Sequence, residues 1–259
     1  MVRCTAEERA LARAALYRLL ALALSYPTDE TQHALPRAIE VAAVAADLTD
    51  EHTRHAVAEF AEQWRLSDAR ELETAYQKVF TLSYSEDCPP YETAFSANHI
   101  FQQTQQQADI VGFYRAFGVD ATAERPDHIV LELEFCYLLA AKEARARELE
   151  EPEHVRLCRD AQRSFVRDHL ARWAPLIGQR AVIADDDSPF GRAGRLLVAF
   201  SAWEERFLRL GNIARYRDEP VLIADDPGEM SCPAAEMASA EVANLPYFES
   251  QEEAQRVLA

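Results

Sequence analysis

The sequence predicts an all-α protein, a single globular helical domain followed by an acidic irregular C-terminal tail, and three observations carry that prediction. Only 7 of 259 residues are glycine, few for a sheet-rich or loop-rich chain. Alanine, leucine, glutamate and arginine, all good helix formers, dominate the composition. Apolar residues recur at three- and four-residue spacing between proline-marked breaks, which is the helical period.

The elements follow in order. Thr5 and Glu8 form a capping-box pattern that opens a helix through Leu11, Ala15, Leu19 and Ala23, closed by Pro27. Pro36 reads as a first-turn proline of a second helix through Ile39, Ala43 and Ala46. A third helix spans about Asp50 to Trp64, and Ser67 or Asp68 caps a fourth with Leu72, Ala75, Tyr76, Val79 and Phe80 inward. The segment Ser83 to Glu92 is irregular, because Pro89 and Pro90 force an extended course. Thr93 is placed to cap the next helix, whose stripe of small and apolar residues is Ala94, Ala97, Phe101, Thr104, Ala108 and Val111. The glutamines from Gln102 to Gln107 then read as its solvated face.

Phe117-Gly118 is a helix end with a left-handed glycine. Pro126 restarts a helix through Ile129, Leu133, Cys136 and Ala140, apolar enough to be central. Pro152 opens another that carries Val155, Cys158, Phe165, His169 and Trp173. Asp187-Ser188-Pro189 starts the last long helix, which Gly211 closes. The expected division is a helical domain over 1–217 and an acidic tail over 218–259. That tail holds ten acidic residues against one arginine, over half of the net charge of −17.

Composition also excludes. An acidic chain repels phosphate backbones, so nucleic acid is not an expected partner. Five scattered cysteines without a CxxC pair suggest neither a zinc site nor a disulfide framework. The N-terminus has no signal-peptide pattern and no run approaches a membrane span, so a cytoplasmic location is expected. P-loop, GxGxxG, HExxH and GxSxG patterns are absent. Glu151-Pro152-Glu153-His154 is the single ExxH, and it reads as an acidic first helical turn.

Two constellations remain. In Cys88-Pro89-Pro90-Tyr91-Glu92-Thr93 a stiff proline pair presents an aromatic ring and a carboxylate, which suits a preformed binding wall or a plain linker with Tyr91 packed inward. In Arg125-Pro126-Asp127-His128, a helix begun at Pro126 sets His128 and Glu132 four apart on one face, able to pair. A helical enzyme or metal-binding protein using His128 and Glu132 is the alternative reading.

Taken together, Cys88 to Thr93, the glutamine-rich helix, Phe113 to Val119, Glu124 to Ile129, Glu132 to Phe135 and Phe165 to Trp173 resemble the TorD/DmsD/NarJ family of molybdoenzyme chaperones. The Cys-Pro-Pro-Tyr-Glu form looks most like chaperones of the type II branch of the DMSO reductase family. The resemblance implies an all-helical, non-catalytic protein without a cofactor or metal of its own; molybdopterin belongs to the client. The implied partner is the catalytic subunit of a molybdenum oxidoreductase, held by its signal peptide until cofactor insertion, folding and twin-arginine export. The implied peptide groove is bordered by Pro89, Pro90, Tyr91, Glu92, Pro126, Asp127 and His128. Glu92, Asp127 and Glu132 are expected to supply its charge, and Tyr91 its apolar wall.

Overall fold

The computed structural model describes residues 4–80, 87–96, 100–119 and 124–217, all within the unit Met1–Ala224. Residues 83–86 of the proline-rich segment and the tail 218–259 lie outside the described residues. The elements are α1 (Ala6–Leu24), α2 (Asp29–Ala46), α3 (Glu51–Leu66), α4 (Ala69–Phe80), α5 (Thr93–Ser96), α6 (Ile100–Ala116), α7 (Ile129–Glu148) and α8 (Pro152–Phe165). A π-helical turn (Val166–Leu170), α9 (Ala171–Asp185) and α10 (Pro189–Leu208) complete the set. Among the described residues there is no strand, and no helix is long and apolar enough to cross a membrane.

The caps explain most of the boundaries. Thr5 and Glu8 close the anticipated capping box, Asp50 caps α3, Asp68 and Glu71 cap α4 reciprocally, and Ser188 caps α10 with Pro189 behind it. Three expectations are corrected. Pro36 does not start α2; Thr28 caps it, Asp29 and Glu30 fill its acidic first turn, and Pro36 sits inside the helix. Helix α7 begins at Ile129, not Pro126, since Pro126 and Asp127 form a turn and His128 is the N-cap. Helix α10 is capped by left-handed Arg209 at φ 56°, two positions before Gly211, which is itself left-handed at φ 74°.

Helices α1 and α7 pack against each other along their lengths, and α2 and α8 flank them. Leu16, Leu19 and Leu20 of α1 meet Ile129, Leu133, Cys136 and Leu139 of α7 in a core where each is fully buried. Helices α9 and α10 cross at Gly178 and Gly194, where a Cβ on Gly194 would lie 2.5 Å from the Gly178 carbonyl oxygen. Only glycine permits that approach.

The core also holds an ion cluster. Arg13 of α1 donates to Glu204 of α10 at 2.9 and 3.0 Å and to Glu143 of α7 at 3.2 Å, with no side-chain exposure. Tyr17 also donates to Glu204, while Arg147, Arg159 and Gln162 surround Glu143. Burial works to raise the Glu143 carboxyl, but these donors hold it below its usual range.

Helix α6 reverses the expected faces. Phe101 is 80% exposed, and Thr104 and Ala108 are exposed with it. The inward face carries Gln106, Gln107, Ile110 and Tyr114. Hydrogen bonding decides this orientation: a small-residue stripe gains little from burial, whereas the two amides reach partners described next.

Candidate functional site

The two proline-bounded segments meet. Tyr91 and His128 form an antiparallel bridge, with the Glu92 N–H donating to the Asp127 carbonyl and the Ile129 N–H to the Pro90 carbonyl, both at 2.9 Å. The pairing follows from sequence, because Pro89 and Pro90 keep one segment extended and Pro126 holds the other outside the helix. Helix α6 spans the distance between them, and Tyr114 on its inner face donates to the Pro126 carbonyl at 2.8 Å.

The eight predicted residues divide by exposure. Pro90, Tyr91, Pro126 and His128 are half-buried at the outer edge, and Pro89 is buried. The Tyr91 ring lies edge-on to His128 at 5.3 Å, and the Arg125 guanidinium stacks over it at 4.1 Å. Glu92, Asp127 and Glu132 have no exposure at all. The expected charged rim is therefore corrected for these three carboxylates; they face inward and hold the seam together. Asp127 accepts from the Thr93 hydroxyl at 2.6 Å, the Thr93 N–H, Gln107 and Arg125. Thr93 is thus the first residue of α5 and is itself capped by Asp127, rather than acting as the cap.

The expected His128–Glu132 pair does not form either. With α7 starting at Ile129, the His128 ring accepts from its own Val130 N–H at 3.2 Å, and Glu132 accepts from Trp173 Nε1 at 3.0 Å. The geometry offers no two-residue metal or acid–base site there.

Sequence reasoning missed the rear of the site. Glu92 accepts from Tyr216 Oη at 2.8 Å and contacts His169 Nδ1 at 3.1 Å. His169 Nε2 lies 3.2 Å from Asp109 without hydrogen-bond alignment. Ser96 donates to Gln106, whose amide reaches Tyr216. His169 and Trp173 come from the end of the α8 stripe, which the π turn re-registers. Eight residues of α-helix drift by about 80°, and one residue absorbed in the wider turn leaves about 20°. Phe165, His169 and Trp173 accordingly share a buried face. The available signal was a histidine in an apolar stripe; for Tyr216 there was none.

Electrostatically the cluster is rich in carboxylates and poor in cations. Burial first, then the neighbouring Glu92 and Asp127, raises the Glu132 carboxyl well above its usual value, against the opposing Trp173 bond. Burial alone lowers His169, but the hydrogen bond and charge of Glu92, with Asp109 and Asp168, raise it overall. Glu132 Oε1 is buried without a hydrogen-bond partner, a setting that favours the protonated carboxyl. Burial lowers His128 despite Glu124 and Asp127 nearby, favouring the neutral ring that serves as a cap.

Comparison with known proteins follows the same boundaries. The family model described as nitrate reductase delta subunit matches residues 46–178, just over half of the chain. That stretch holds the seam, α6, α7 and the π turn, and it ends before Tyr216. The perchlorate reductase assembly chaperone protein of Dechloromonas aromatica (strain RCB) is 29% identical over 187 residues, covering 66% of this chain and 78% of that protein.

Proposed function

The chain belongs to the nitrate reductase delta subunit family, among the NarJ- and TorD-type chaperones of molybdoenzymes, and from that premise we propose that it is a cytoplasmic, non-catalytic chaperone for the catalytic subunit of a molybdenum oxidoreductase. It holds the subunit's leader peptide while molybdopterin is inserted and the client folds, then releases it for twin-arginine export. The cofactor is the client's. The relative that serves perchlorate reductase favours an oxyanion reductase of the type II branch as client.

One observation carries the reading: the seam presents Pro90, Tyr91, Pro126 and His128 outward on a frame of buried, hydrogen-bonded carboxylates. A surface fixed by two backbone bonds and two prolines loses little entropy when a peptide docks. Tyr91 supplies apolar area with a polar tip, as binding hot spots do. Exposed Glu124 and the net charge of −17 attract the leader's arginines. Glu92, Asp127 and Glu132 serve binding by holding that surface in place.

Co-expression with a client catalytic subunit tests this. Capture should require the leader, and Tyr91→Ala with His128→Ala should weaken it by about 30-fold, the scale of one hot-spot residue. Equal capture of a leaderless subunit would sink the proposal.

A further inference from the structure

Residues 211–217 leave α10 and run back across the rear of the site as a strap. Two bonds tie its backbone to α9: the Tyr216 N–H donates to the Arg172 carbonyl and Arg172 Nε donates to the Ala214 carbonyl, each at 3.0 Å. Such bonds carry no sequence preference, and any extended peptide can make them. Selectivity comes from two side chains. Arg215 is held by both oxygens of Glu205, at 2.7 and 2.9 Å, and by the Ala171 carbonyl. Tyr216 lies under the Arg172 guanidinium, 4.0 Å away, and donates its hydroxyl to Glu92.

The strap is thus an arginine–aromatic pair that follows a tight turn, in which the Arg215 N–H donates to the Ile213 carbonyl at 3.0 Å, and it is seated against backbone and side-chain groups of α9. Beside it a depression of about 690 Å³ opens on α6, lined by Ser96, Gln102, Gln105, Gln106, Ala108 and Asp109. It shares Gln106 with the Tyr216 contact and Asp109 with the His169 contact. Opening the strap breaks the Tyr216 amide bond, the Arg172 and Arg215 bonds and the packing of Ile213 and Tyr216 on the core, and leaves every helix intact. Glu92 keeps His169 when Tyr216 leaves, while Glu205 gives up Arg215 and is left to receive an incoming arginine.

We propose that residues 213–216 are an internal stand-in for the client peptide, occupying the slot in the free chaperone and yielding it to an extended segment in which an arginine precedes an aromatic or apolar residue. This rests on the leader-binding reading above and adds self-competition to it.

The test uses the full chain and a synthetic peptide with an arginine pair followed by an apolar stretch. If the strap is closed in about nine molecules of ten, R215A/Y216A should bind that peptide about tenfold more tightly. Y216F keeps the stack on Arg172 and loses the hydroxyl's bonds to Glu92 and Gln106, so it should tighten binding less, and it serves if the double variant does not fold. In the wild type, peptide should speed hydrogen exchange at the Tyr216 amide. If peptide binds while that amide stays protected and neither variant gains affinity, the strap is a fixed part of the fold; the inference falls and leader binding stands. If peptide binds neither the wild type nor the variants, both readings fall.

Discussion

The Arg13 cluster and the Glu92 cluster both bury carboxylates, and they satisfy them by opposite means. Glu143 and Glu204 are met by Arg13, which is fully buried, and by Arg147 and Arg159 at the edge. Glu92, Asp127 and Glu132 share one half-exposed Arg125 and a histidine. The first cluster balances charge with charge and joins α1, α7 and α10. The second favours a protonated Glu132 and uses hydroxyl, indole and amide donors in place of a central cation. Stability belongs to the first; the proposed peptide-binding surface rests on the second.

Breaking the first cluster should give the largest effect. Arg13→Met leaves Glu204 and Glu143 buried without their central cation and should cost about 3–5 kcal/mol. The shift in urea unfolding midpoint measures it, and a cost below about 1 kcal/mol would erase the distinction between the clusters. Glu92→Gln tests the second. It keeps the shape but weakens the bonds to His169 and Tyr216, for a loss of about 1.5–3 kcal/mol. It should also lower the His169 pKa, because Glu92 is what outweighs burial there. An NMR titration of the His169 ring that did not move would place the histidine's control elsewhere.

The same contrast explains what could be read from sequence. Helices α1, α3, α4 and α10 were legible because their caps are local: Thr5, Asp50, Asp68 and Ser188 bond within three residues. The joining of the two proline segments was legible only through family resemblance, since no local rule links residues 35 apart. Side-chain direction was not legible where partners are remote. Gln106 and Gln107 looked like a solvated face because their partners, Tyr216 and Asp127, lie 110 and 20 residues away. Glu92, Asp127 and Glu132 looked exposed because carboxylates usually are, and only the converging donors make burial tolerable. Pro126 gave a false helix start because the Asp127 carboxylate caps α5 across the seam rather than its own helix.

The smallest effect is the most discriminating. Glu132 is raised well above its ordinary value, so the fold prefers its protonated form. A group raised in this way contributes stability fully below the unfolded value, about 4.3 for glutamate, and loses it as pH rises toward the folded value. The Glu132 contribution to wild-type stability should therefore decline across that window. His169, also raised, adds a decline of the same sign above about 6.5. Glu132→Gln keeps the shape and an acceptor for Trp173 without a titrating proton. At about pH 4 it should match the wild type to within about 1 kcal/mol. As pH rises toward about 8 the balance should move in favour of the glutamine variant, by up to about 1.4 kcal/mol per unit over the window. The His169 decline remains in both proteins and cancels from their difference. Urea midpoints for both chains across that range give the difference directly. Parallel curves would mean that Glu132 titrates alike folded and unfolded, and protonation would then play no part in how the second cluster tolerates its burial.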